Sequence, residues 1–420
     1  MNKHCPLFSI ILLFACSTYA QTSYLLKPDR VFDGVDMHTG WAVLVNGNRI
    51  EAAGPSEKVR ASAGTKTFEL KGQTLLPGLI EGHSHVLLHP YNETSWDDQV
   101  LKESRVERVA RAVNHLNKTL MAGFTTIRDL GTEGAGYDDV GLKQSIEKGL
   151  IEGPRMLVAG PAIVATGSYG PKSNSTELKL TMGAEEADDQ TIVKVVRNQI
   201  GHGVDFIKIY ADYGWGSKNS VQPTFLEAEI RKAVETARSS GRDVVAHATT
   251  PEGMRRAVMA GAVTIEHGDD GTADIFKLMK EKNVAFCPTL AAGDAVLQYR
   301  GWKKGTDPEP ESIRRKRQSF QMALKAGVTI CMGGDAGVFA HGDNALEMEM
   351  MVDYGMNPLD VLRSATSVNA DVFHIADSVG RIKKGLLADL VAVDGNPAEK
   401  IQYIRRIKMV IKGGKIFKGE

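Results

Sequence analysis

Short apolar runs separated by amphipathic stretches fill the middle of the chain. Thr125-Thr126-Ile127, Met156-Leu157-Val158-Ala159, Phe206-Ile207-Lys208-Ile209, Asp243-Val244-Val245-Ala246, Val263-Thr264-Ile265, Val284-Ala285-Phe286 and Val328-Thr329-Ile330 read as strands, because β-branched and apolar residues dominate runs too short for helices. Between them, Glu227 to Ser239 places Ile230, Ala233, Val234 and Ala237 on one helical face. Another helix opens at Thr250-Pro251-Glu252, a capping residue followed by proline in the first turn. Strand–helix units repeated over about residues 76–375 predict a parallel α/β body, either a (β/α)8 TIM barrel or a doubly wound sheet. No Gly-x-Gly-x-x-Gly follows the first strand, which weakens the dinucleotide-binding version.

Both ends of the chain carry a different rhythm. Ala42 to Val45 runs into Asn46-Gly47-Asn48 and then Arg49 to Ala53, a hairpin signal. Asp389 to Val393 reads as a strand, and Lys408 to Lys412 turns at Gly413-Gly414 into Lys415-Ile416-Phe417. Neither end alone has strands enough for a stable module. Residues 21–75 and 376–420 are therefore expected to combine into one small β-sandwich, with the barrel at 76–375.

The first twenty residues stand apart. Lys3 precedes an apolar run, Leu7 to Phe14, and small and polar residues lead to Ala20. That order predicts a secretory signal cut before Gln21, and export to a periplasm or the exterior. The run is shorter than the roughly 20 residues that cross a bilayer core. Ala15-Cys16-Ser17 also resembles a lipoprotein cleavage site, giving lipid anchoring through Cys16 as the alternative; Phe14 departs from that pattern. Of four cysteines, Cys5 and Cys16 lie in the signal. Cys287 and Cys331 sit in apolar runs and read as small buried hydrophobes, not a disulfide framework.

Charge narrows the partners. Lys plus Arg and Asp plus Glu both total 51, so the formal net charge is zero. Neither a polyanion partner nor a nucleic-acid motif is indicated. With 42% hydrophobic and 24% charged residues, the composition is that of a globular enzyme and not of a disordered chain.

The chemistry lies where polar residues end apolar runs. In Leu79-Ile80-Glu81-Gly82-His83-Ser84-His85 the two imidazoles share one face of a strand. Lys208 sits inside Val204 to Tyr210, a strand buried on both faces in a barrel. A buried lysine needs compensation: an ion pair, a snorkelling edge position, or reaction of the neutral amine with carbon dioxide to a carbamate that bridges two cations. His247 ends Val244-Val245-Ala246, His267 follows Val263 to Glu266, and Asp335 follows Val328 to Gly334. Each has an ordinary explanation by itself. Four strand ends delivering ligand-type residues converge in a barrel, at the end where such active sites form.

The order His83-x-His85, Lys208, His247, His267, Asp335 resembles the amidohydrolase superfamily in its binuclear branch. Leu76-Pro77-Gly78-Leu79-Ile80, Ile265-Glu266-His267-Gly268, Gly334-Asp335-Ala336-Gly337 and Gly385 to Leu390 are similar to its imidazolonepropionase-like and Xaa-Pro dipeptidase (prolidase)-like group. The likeness covers nearly the whole mature chain. It implies two divalent metals, zinc foremost, with manganese, cobalt or iron as substitutes. His83, His85 and Asp335 would hold the more buried metal and His247 and His267 the second, with N6-carboxylated Lys208 between them. A metal-bridging hydroxide would attack the carbonyl, and Asp335 would pass its proton to the leaving amine.

Substrate contacts depart from the group. Dipeptidase relatives carry Thr-Gly-Gly-His where this chain has Thr166-Gly167-Ser168-Tyr169, and a tyrosine where it has Phe225. Tyr210, Tyr169 and His341 are the expected substrate contacts; His341 lies in the loop after the last strand, where holding that loop is its alternative, and Trp215 and Trp302 are pocket walls or ordinary packing. The expected reaction is hydrolysis of a linear amide, such as a dipeptide or N-acyl amino acid. A cyclic-amide hydrolase and a catalytically silent metal-binding protein are the alternatives. Whether the chain forms a homo-oligomer is left open by the sequence.

Overall fold

The computed structural model describes residues 23–171, 175, 177, 180, 183–215 and 220–419. The expected signal, with Cys5 and Cys16, lies outside the described residues. Five strands come first: β1 (Ser23–Phe32), β2 (Met37–Thr39), β3 (Trp41–Asn46), β4 (Arg49–Pro55) and β5 (Lys66–Pro77). The body follows with β6 (Leu79–Ser84), β7 (Phe124–Asp129), β8 (Arg155–Val158), β9 (Ile163–Ala165), β10 (Glu185–Ala187) and β11 (Ile207–Tyr210). Then come β12 (Asp212–Trp215), β13 (Ser220–Pro223), β14 (Val244–Ala248), β15 (Thr264–His267) and β16 (Ala285–Cys287). The chain closes with β17 (Leu390–Asp394), β18 (Ile407–Lys412) and β19 (Lys415–Lys418).

The two ends meet as expected, but in one sheet. Its order is β19-β18-β17-β5-β1-β3-β4, with β2 beside β1. The joint is the antiparallel β5/β17 ladder, where Leu76 faces Val391. The two stacked sheets of a sandwich are not seen, and the alternation of side chains explains why. Leu75, Leu390 and Ile411 on one face form the sheet's own core. Their neighbours Leu76, Val391 and Val410 point the other way, into the core of the α/β body. The body itself serves as the second layer.

Within the body, β6, β7 and β8 form a parallel three-stranded sheet. β10-β9-β11-β14-β15-β16 form a parallel six-stranded one. The strand expected at Val328-Thr329-Ile330 is reduced to an isolated bridge from Phe286 to Ile330. The chain then runs against β6: Gly82 N donates to Met332 O at 3.0 Å, Asp335 N to His83 O at 2.8 Å and His85 N to Ala336 O at 2.7 Å. Across the other gap, Asp205 N donates to Val158 O at 2.8 Å. Among the described residues the ladders do not merge into a single eight-stranded sheet; hydrogen bonds outside the ladders span the breaks.

The expected helices form. Glu227–Arg238 buries Ile230, Ala233, Val234 and Ala237. Pro251–Ala260 is capped by Thr250, whose Oγ1 accepts from Gly253 N at 3.1 Å. Among the described residues no helix is long and apolar enough to cross a membrane. Cys287 and Cys331 are buried free thiols, as their apolar runs indicate.

Candidate active site

The C-terminal ends of the parallel strands bring all six expected metal ligands together. His83 and His267 have ring centroids 5.0 Å apart, His83 and His85 5.4 Å, and His247 and His267 4.4 Å. Asp335 Oδ1 lies 3.7 Å from His83 Nε2 and 3.4 Å from His85 Nε2. Ligand atoms of His83, His267 and Asp335 all fall within 4.8 Å of one another. The close approach of the two strands behind them depends on Gly333: a Cβ there would sit 2.8 Å from His83 N and 2.5 Å from Cys287 Sγ.

Three imidazoles are aimed by their other nitrogen. His83 Nδ1 pairs with Glu266 Oε2 at 2.9 Å, His85 Nδ1 with the Gly131 carbonyl at 2.8 Å, and His267 Nδ1 with Thr289 Oγ1 at 2.8 Å. The carbonyl can only accept, so His85 carries its proton on Nδ1 and presents Nε2 as a lone pair. This is the arrangement by which ligating histidines are oriented. Burial, followed by the charge of Lys208, pushes His83 and His247 well below the usual imidazole range. Burial does the same to His267, with His247 as the next cause. Neutral imidazole is the ligand form.

Lys208 is fully buried, and among the described residues its Nζ has no hydrogen-bond partner. Burial pushes its ammonium down to about 8, against the pull of Glu266 and Asp335. His83 Nε2, His247 Nδ1 and Asp335 Oδ1 are likewise buried without a partner. Buried polar atoms are normally satisfied, so four orphans in one cluster are what a site for cations would leave. Backbone strain gathers here too. His267 (φ 74°), Thr289 (φ 50°), Glu133 (φ 49°) and Asp335 (φ 66°) are left-handed non-glycine residues, and all four line one cavity of about 480 Å³. Such strain concentrates where a site dictates side-chain direction.

Tyr169 and Tyr210 line that cavity. Tyr210 also stacks on His247, centroids 4.4 Å apart at 14°. His341 does not reach it. Its Nε2 lies 3.2 Å from the His85 carbonyl and 3.1 Å from that of Leu88, and its ring stacks on His115 at 4.4 Å. Its place is beneath the His85 turn, which it holds from behind; the expectation of substrate contact is corrected accordingly. Neither tryptophan walls the cavity: Trp215 is exposed, and Trp302 packs against the main core.

The sequence profile of the amidohydrolase family matches residues 74–417. The chain belongs to that family. An ochratoxinase of Aspergillus niger is 30% identical over 408 residues, spanning 88% of this chain and 80% of the relative. A Xaa-Pro dipeptidase solved with methionine in its active site superposes with a TM-score of 0.83 at 29% identity, covering 95% of this chain and all of that one. A prolidase solved with N-methylphosphonate-L-proline gives 0.82 at 28% identity, with the same coverage. This amidohydrolase is a hydrolase acting on amide bonds.

Several residues around the amidohydrolase site were not singled out from sequence. Glu266 aims His83 and is itself held by Arg128 Nη2 at 2.8 Å. Glu81 ties the two ligand strands together, Oε1 accepting from His83 N at 3.0 Å and Gly334 N at 2.8 Å. Glu133, Tyr91 and Tyr213 line the cavity. Glu133 gave a usable signal, an acid just beyond the apolar strand β7; the two tyrosines gave none. Glu266→Gln is expected to weaken metal affinity or activity by about 10–100-fold, because His83 loses its carboxylate partner. Leaving buried Arg128 unpaired should also lower the melting temperature. Metal content, kcat and thermal melting of the variant decide this; unchanged values would reduce Glu266 to packing.

Proposed function

We propose that the amidohydrolase holds two divalent metals, zinc foremost, and cleaves a linear amide such as a dipeptide or an N-acyl amino acid. The observation that carries this reading is the buried, unpartnered Lys208 amine beside four histidines and Asp335. On this reading the ladders of β6 to β16 and residues 328–336 are the wall of a (β/α)8 barrel spanning 76–375, with 21–75 and 376–420 as the companion module. The donor set fits the metals: His83, His85 and Asp335 for one, His247 and His267 for the other, and Lys208 between them as its carbamate. The carbamate forms when the neutral Nζ bonds to the carbon of CO₂ and releases a proton; with the ammonium pushed down to about 8, a sizeable neutral fraction is present near neutrality. When bound, the metals polarise the scissile carbonyl and acidify the attacking water. Asp335 takes that water's proton on its carboxylate as the new C–O bond forms, and returns it to the nitrogen as the C–N bond breaks. Tyr210 and Tyr169 hold the substrate against the cluster.

The test is metal analysis of the purified protein together with a screen of dipeptides, N-acyl amino acids and cyclic amides. Two metal equivalents with linear-amide turnover support the reading. Turnover of cyclic amides alone would move it to the alternative, and metal without turnover would make it a silent binding protein. Export remains part of the proposal: mass spectrometry of protein from the native host should show a chain starting near Gln21, and a full-length chain would sink it.

A further inference from the structure

One wall of the cavity carries a carboxylate that the proposed amide cleavage does not use. Glu133 is almost fully buried. Its Oε2 accepts from Tyr169 Oη at 2.6 Å and from Trp96 Nε1 at 3.0 Å. Among the described residues Oε1 receives no hydrogen bond; the ring of His85, with Nδ1 3.8 Å away, donates to Gly131 instead. The neighbouring guanidinium of Arg108 is directed at carbonyls, those of Leu87, Thr132 and Glu133, and not at the carboxylate.

Four tyrosines surround this carboxylate: Tyr91, Tyr169, Tyr210 and Tyr213, all lining the cavity. Three of the rings meet as a corner. Tyr169 lies 4.9 Å from Tyr210 and 4.7 Å from Tyr213, and the last two are 5.9 Å apart at 69°. Burial, and after it the charge of Glu133, raises all four phenols above their usual range, Tyr213 to about 12. They are therefore neutral rings with electron-rich faces. The cavity's cations sit elsewhere and are already paired, Arg315 with Asp270 at 3.0 Å and Lys316 with Asp269. A substrate carboxylate would meet no unpaired cation at this wall. A cation would meet a buried carboxylate framed by aromatic rings.

We propose that Glu133 with Tyr91, Tyr169, Tyr210 and Tyr213 forms a subsite for an ammonium group, so that the preferred substrate is an amide carrying a positive charge on one side of the scissile bond. The proposal rests on the amide-hydrolase reading and narrows its substrate class. Ring faces and a charge-assisted contact to the carboxylate together correspond to about 10–100-fold in affinity.

Calorimetric titration of the metal-loaded enzyme at pH 7 with butylammonium, beside its neutral isostere 1-butanol, measures the subsite without turnover. Butylammonium should bind at least about tenfold more tightly. Glu133→Gln should abolish that difference. Tyr213→Leu, at a partly exposed ring, should reduce it, and melting temperatures verify that both variants fold. Equal binding of the two probes, or a Glu133→Gln enzyme that still discriminates, overturns the proposal. A second arm compares kcat/KM for two amides with one scissile bond, one with a free ammonium and one N-acetylated. The ammonium form should lead by about tenfold or more. Cation-selective binding with neither amide cleaved would sustain the subsite and refute the amide reading. Both amides cleaved at equal kcat/KM, with equal probe binding, would do the reverse.

Discussion

Lys208→Ala is expected to lose at least one metal equivalent and to lower kcat by roughly 10²–10³-fold or more, the size of a Lewis-acid contribution of several kcal/mol. The expectation follows from the side chain's position. Lys208 lies on β11 with no exposed surface and no partner for Nζ. A charged ammonium there is disfavoured, so a purely structural lysine would be an odd choice beside four imidazoles that also need to stay neutral. As a carbamate it would be an anion able to serve as a ligand to cations held by the neighbouring histidines. Lys208→Met, which keeps most of the volume, separates chemistry from packing: without metals it should melt no lower than the parent, since a buried amine is replaced by an apolar chain. Short carboxylic acids added to Lys208→Ala should restore part of the metal content and rate. A variant that keeps both metals and full turnover would remove the carbamate from the mechanism.

Asp335→Asn should fold and keep most of its metal, yet turn over at least about a hundredfold more slowly, since losing a general base typically removes about 10²–10⁴ in rate. The residue is held at φ 66°, a conformation asparagine tolerates nearly as well as aspartate, and the substitution changes volume little. Asparagine still offers an oxygen to a cation but accepts no proton. Burial, and after it the charges of Glu133 and Glu266, raises the Asp335 carboxyl, while His85 and Lys208 pull it down; neighbouring cations would add to the downward pull. The measurements are kcat, metal content and melting temperature together. Near-normal turnover would exclude Asp335 as the proton carrier, and an unfolded protein would make its role structural.

What could be read from sequence follows from how each feature is encoded. His83 and His85 share a face because strand periodicity is local, and His247, His267 and Asp335 announce themselves by ending apolar runs. Lys208 is conspicuous because charge rarely interrupts a buried strand. His341 shows the opposite case: its loop position after the last strand was evident, but only the stacked ring of His115 and the carbonyls of His85 and Leu88 turn it away from the cavity. Tyr91 and Tyr213 meet Glu133 through long-range folding that no spacing reveals. The terminal strands were legible as strands, yet their partners were not. Alternation tells which residues of β5 face inward and leaves open which strand lies alongside. The strand at 328–330 was legible too, but it pairs only through an isolated bridge to Phe286 before the chain runs on beside β6.

The order of strands in the terminal sheet has a consequence for how the protein is made. β5 lies between β1, synthesised just before it, and β17, whose first residue comes some 300 positions later. At about 5–20 residues per second, the ribosome leaves one edge of β5 without its neighbour for roughly 15–60 s. Throughout that interval Gln73 to Pro77, the stretch of β5 that pairs with β17, offers open hydrogen-bonding groups to any other chain, an invitation to misassembly. Gly78 then leads directly into β6, the strand that carries His83, so nascent chains that go astray at β5 would misplace the first ligand strand as well. Yield in a refolding or expression experiment should therefore respond to late truncations that remove β17 far more than to substitution of exposed Lys418 at the end of β19.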